Sequence, residues 1–112
     1  MLLSGAAFTY TTVAGSSFSG SACASTRLTA ANGASLIGFP ETFIPGYPFF
    51  IWLDSPVWGM QFIQRYHDNS LVYGSPQADR ISQAAKEHRI MVVMGHSEKR
   101  GGSLYMGQWI ID

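Results

Sequence analysis

The stretch Gly33-Ala34-Ser35-Leu36-Ile37-Gly38-Phe39-Pro40-Glu41 decides the fold class. Its apolar run over 34–39, bounded by Gly33 and Pro40, reads as a short buried strand. After it, Pro40, Pro45 and Pro48 fix φ and Gly46 permits a sharp bend, so 40–48 is expected to be a loop. Further along, Ser55-Pro56 and Ser75-Pro76 each set a capping hydroxyl before a proline, the start signal of a helix. The first helix is expected to turn Met60, Ile63 and Tyr66 or His67 to a common side. The second should bury Ala78, Ile81, Ala84 and Ala85 and leave Asp79, Gln83, Lys86 and Glu87 in water. The run 90–94 is apolar without alternation, which predicts a strand covered on both faces. A further strand over 104–111 follows the charged turn 98–102. Helices between strands make this a layered α/β sheet with at least one crossover.

Composition narrows the class. At 112 residues the chain has room for one small domain, and 46% hydrophobic residues supply a core. Seven basic and seven acidic side chains cancel, which argues against a nucleic-acid surface. A single cysteine, Cys23, excludes a disulfide framework and a four-cysteine zinc site. No apolar run reaches the ~18 residues of a spanning helix, and a soluble cytoplasmic protein is expected. All seven acidic residues lie at or after Glu41, and the only charge before it is Arg27. Residues 1–28 hold neither period for long, and the positive n-region of a secretory signal is missing before Ala22-Cys23-Ala24. They are expected to form a poorly ordered or out-of-frame leader, with the domain proper over 29–112.

Few residues can carry chemistry. Glu41 follows the strand directly, where α/β sheets tend to place catalytic groups. Its neighbours Phe39, Pro40, Phe43, Ile44 and Pro45 would strip water from it and favour its protonated form, which suits a general base working near neutrality. An acid paired with an arginine at a loop edge reads equally well. His67, His88 and His96 lack metal-ligand spacing and read as surface or satisfied core histidines; neighbouring carboxylates at Asp68 and Glu98 should point away from them. Cys23 has no activating partner in sequence. Gly101-Gly102 reads as a hairpin turn rather than a phosphate loop. The aromatic run Tyr47, Phe49, Phe50, Trp52 and Trp58 serves equally as core packing or as the wall of a pocket.

The segment from Gly33 through Phe39-Pro40-Glu41-Thr42-Phe43-Ile44-Pro45-Gly46-Tyr47-Pro48 resembles the signature around the catalytic glutamate of the nitrilase branch of the carbon–nitrogen hydrolase superfamily. The likeness continues in 51–56, 64–70, 91–95 and 102–108, and covers about 29–112. Trp52-Leu53-Asp54-Ser55-Pro56 is most similar to bacterial nitrilases acting on aryl- or arylacetonitriles.

The resemblance implies part of an α-β-β-α sandwich and a Glu-Lys-Cys catalytic set, with no cofactor and no metal. A thiolate attacks the nitrile carbon to give a thioimidate, and two waters release ammonia and then the acid. Glu41 matches the general-base position as proton acceptor, and Tyr47 the position bordering the substrate pocket. The implied partners are a small nitrile and further copies of the chain, without nucleic acid or membrane. A cyanide- or amide-processing relative and a non-catalytic association module are the alternatives. The lysine and cysteine belong downstream of Ile111-Asp112, so the 112 residues alone are expected to be inactive. They are also expected to associate through the apolar faces of Leu36, Ile37, Met91, Val92, Val93 and Ile110, left open beside unpaired strand edges.

Overall fold

The computed structural model describes residues 18–112. Helix α1 spans Phe18–Ala31, so the expected leader lies outside the described residues only up to position 17, and a helix crosses the expected boundary at 28/29. Its residues are mostly Ser, Ala, Gly and Thr with little charge, which hides its inward side. Ala22 and Thr26 are nonetheless buried, and small side chains let α1 lie close to the alanine face of a second helix. The Thr26 hydroxyl donates to Ala22 O at 2.8 Å, which satisfies it inside the helix.

Strand β1 (Leu36–Ile44) runs through the proline at 40, so the expected loop begins only at Pro45. A 3-10 turn over Phe49–Trp52 leads to α2 (Pro56–Asp68), capped by Ser55, whose side chain accepts from Trp58 N. Helix α3 (Pro76–His88) is capped in the same way by Ser75 and ends at Arg89 in the left-handed region, φ 49°. Strands β2 (Met91–Arg100) and β3 (Ser103–Ile111) form a hairpin. Glu98, Lys99 and Arg100 therefore belong to the strand, and the turn narrows to Gly101-Gly102, with Gly101 at φ 59°.

The sheet has the order β1-β2-β3, parallel between β1 and β2 and antiparallel between β2 and β3. Parallel pairing needs the long crossover through α2 and α3 that the sequence predicts. Beyond Ile44 the vacated side of β2 is taken by Leu71, whose N–H donates to Ser97 O and whose carbonyl accepts from Lys99 N.

The core lies on one face of this sheet. Val92 and Met94 are wholly buried with Ala22, Ile44, Ala78, Ile81 and Ala85, and Ile37 packs against them. The α3 face is the one its sequence predicts. The other sheet face is open: Leu36 is 52%, Met91 38% and Ile110 62% exposed. Coverage of both faces, expected for β2, is thus absent among the described residues, and of the apolar set expected to lie open, Ile37 and Val92 instead face the helices.

In α2 the packed side is not the one that carries Met60 and Ile63. Gly59 is buried and Phe62 and Tyr66 are partly so, because Phe50 stacks on Phe62 and Tyr66 and comes within 3.6 Å of a Cβ built on Gly59. Met60 and Ile63 face solvent.

Candidate active site

Glu41 sits on an excursion of β1. Phe39 pairs with Met94 and Ile44 with His96, so β1 uses far more chain than β2 between those two points. Such a bulge re-aims side chains. Pro40 has no N–H to lose from the ladder, which makes it tolerable there. Thr42 adopts φ 47°, a rare conformation for a β-branched residue, and turns the chain back. Phe39 and Ile44, on either side, are both anchored against the core.

The excursion crosses β2 at Gly95. A Cβ on Gly95 would collide with Pro40 O and lie 2.7 Å from Pro40 C and 2.9 Å from Glu41 Cα. Alternation along β2 puts that direction opposite to Met94 and His96, on the sheet face away from α1 and α3. Glu41 lines a concavity of about 270 Å³ there, together with Phe39, Gly95, Met106, Gly107 and Gln108.

The desolvated carboxylate expected from the sequence is not what the structure holds: Glu41 is exposed. Of the two uses open to the aromatic run, packing is the one realised for Tyr47 and Trp58. Tyr47 packs on Phe49 at 4.8 Å and accepts a hydrogen bond from Trp52 Nε1 at 3.1 Å, while Trp58 packs on Phe62. Tyr47 does not line the concavity at Glu41. The alternative of an arginine partner is also not realised, since Glu41 forms no ion pair among the described residues.

Below the excursion lies a hydroxyl cluster. Thr42 is buried, and its hydroxyl makes no hydrogen bond of good geometry. Burial pushes the Tyr66 phenol above its ordinary range, and the nearby Ser97 and Thr42 hydroxyls oppose that rise. Ser70 Oγ donates to Tyr66 O at 2.9 Å and reaches Ser97 Oγ at 3.3 Å.

The other reactive side chains lie apart. Cys23 is half-buried between α1 and α3, 3.5 Å from Arg80 O, on the helix side of the sheet. Burial raises its thiol pKa, and the Arg80 charge opposes the rise. Lys99 Nζ donates to Asp68 O, and Lys86 is exposed on α3. His96 is a satisfied core histidine. Its Nδ1 faces Met94 O at 3.3 Å, so Nδ1 carries the proton, and Nε2 accepts from Tyr73 Oη at 2.8 Å. His67 Nε2 donates to Gly101 O at 3.1 Å, and its Nδ1 does approach Asp68 Oδ1, at 3.6 Å. Among the described residues no three His, Cys, Asp or Glu side chains gather to hold a metal ion. No described helix is long and apolar enough to cross a membrane.

Gly95, Gln108 and Met106 were not singled out by sequence reasoning. Gly95 had a signal, since glycine at the end of a Val-Val-Met run marks close approach of another backbone.

The carbon–nitrogen hydrolase family model matches residues 14–112. Among curated relatives, a nitrilase of Pseudomonas syringae pv. syringae is 61% identical over 83 residues, which cover 74% of this chain and 25% of that protein. An aliphatic nitrilase of Rhodococcus rhodochrous is 57% identical over 84 residues, 74% of this chain and 23% of that one. The arylacetone-specific nitrilase of Alcaligenes faecalis is 49% identical over 80 residues, 71% and 22%. The chain thus spans about a quarter of the length of the relatives it matches, whose names include both aliphatic and arylacetone-specific enzymes. By its α/β fold and this match over most of its length, the chain belongs to the carbon–nitrogen hydrolase family, in the nitrilase branch.

Proposed function

We propose that these residues form the general-base segment of a nitrilase-type hydrolase, which converts a nitrile and two waters to a carboxylic acid and ammonia. Glu41 takes the proton from an attacking thiol and later from the water that cleaves the acyl-enzyme. The observation that carries this reading is the bulge that lifts Glu41 to the edge of a concavity and anchors both its flanks.

A base acts only with a nucleophile beside it. Cys23 lies across the sheet from Glu41, and neither Lys86 nor Lys99 approaches the concavity. The 112-residue polypeptide assayed by itself is therefore expected to release no ammonia from aliphatic or aryl nitriles.

The positive test exchanges the matching 83-residue segment into the Pseudomonas syringae relative. The exchanged enzyme should release ammonia from nitriles. Glu41→Gln within it should lower kcat by at least ~10²-fold, the usual reach of a general base. Activity that survives Glu41→Gln overturns the assignment.

A further inference from the structure

We infer that Gly95 is a positioning residue for the Glu41 carboxylate, an inference that rests on Glu41 being the base. The Pro40–Glu41 peptide lies directly on β2, in the space where any other residue would carry its Cβ. The atoms that a side chain at position 95 would meet are all backbone: Pro40 O, Pro40 C and Glu41 Cα. Backbone cannot swing aside as a long side chain can. Flanking it, Phe39 and Ile44 are tied into the core, so the segment between them can only lift away from the sheet.

The size of that lift follows from the contacts. Bringing Pro40 C from 2.7 Å, and Glu41 Cα from 2.9 Å, out to ordinary van der Waals separation moves the peptide by roughly 0.6–1.3 Å. A catalytic group must be held within ~0.5 Å of its working position, and a 1 Å error can lower the rate ~10²-fold. Gly102 is the contrasting position. A Cβ there meets nothing within 4 Å.

The contact is tested first in the 112-residue chain by NMR. A strong nuclear Overhauser effect is expected between Gly95 Hα and Glu41 Hα, and its absence from a folded spectrum overturns the inference. The consequence is tested in the exchanged enzyme. Gly95→Ala should lower kcat by ~10²-fold with KM within about twofold, while Gly102→Ala stays close to the parent. If Glu41→Gln is inactive but Gly95→Ala behaves like Gly102→Ala, the positioning role falls and the base survives. If Glu41→Gln stays active, both fall. Should Gly95→Ala fail to fold, the parent's Overhauser contact decides: its presence supports the close approach of Glu41 to Gly95, and its absence overturns the inference.

Discussion

Removing one oxygen from Tyr73 tests whether the buried histidine is held as described. His96 is completely buried, and Tyr73 Oη is the hydrogen-bond donor to its Nε2. In Tyr73→Phe the ring keeps its edge contacts with His96 and Trp109, each at 5.3 Å between centroids, so almost no apolar burial is lost. What changes is Nε2. Swapping the tautomer gives no relief, because an unprotonated Nδ1 would then face the Met94 carbonyl, acceptor against acceptor. A normal hydrogen bond contributes about 0.5–1.5 kcal/mol net, whereas a stranded buried acceptor costs about 1–3 kcal/mol, so the second figure governs. For a domain of this size, 1–3 kcal/mol lowers Tm by roughly 5–15 °C. Urea titration followed by circular dichroism reads the change. Tyr105→Phe is the control, since Tyr105 is 52% exposed and should stay within ~0.5 kcal/mol. A Tyr73→Phe protein as stable as that control would refute the reasoning.

Other outcomes follow from the same contacts. Arg89→Gly should stabilise the chain by about 0.5–1 kcal/mol in urea titration: relief of the left-handed φ gives roughly 1–2 kcal/mol and the freer unfolded glycine returns part of it. Stability should fall at alkaline pH. Burial raises the Tyr66 and Tyr73 phenols, with Glu98 also raising Tyr73, so their contribution is complete below the ordinary phenol value near 10 and is lost as pH climbs through the raised native values. Cys23 has the same sign from about pH 8.5, and denaturation midpoints of the chain and of Cys23→Ala across pH 7–11 check both. Ile110→Lys, on the open sheet face, should reduce self-association measured by light scattering, because it breaks an exposed apolar patch beside an edge strand.

Legibility in the sequence followed the size of the signal. Ser75-Pro76 and the spacing of Ala78, Ile81, Ala84 and Ala85 place α3 and its inner face, because cap, proline and period agree there. Helix α1 was invisible for the opposite reason. Alanine, serine and threonine differ little in hydropathy, so Ala22 and Thr26 are buried without marking a face. The inner side of α2 is hard to read because Met60 and Ile63 outweigh Gly59 in any apolar count. The partner that selects Gly59, Phe62 and Tyr66 is Phe50, which lies outside the helix. Strand β1 could not be followed past Pro40, since prolines and a glycine within nine residues signal a loop more strongly than Phe43 and Ile44 signal a strand.

At Glu41 the environment differs from the one its neighbours in sequence suggest. Apolar neighbours along a chain suggest an apolar surrounding. In a strand, however, adjacent side chains point to opposite faces, and a bulge separates them further. Phe39 and Ile44 send their side chains to the core and thereby fix the ends of the excursion, while Glu41 at its crest stays in water. Their burial positions the carboxylate without desolvating it. Exposure of Glu41 is therefore compatible with precise placement, because the restraint acts through the backbone: core anchors on either side, a reversed φ at Thr42, and the bare Cα of Gly95 beneath.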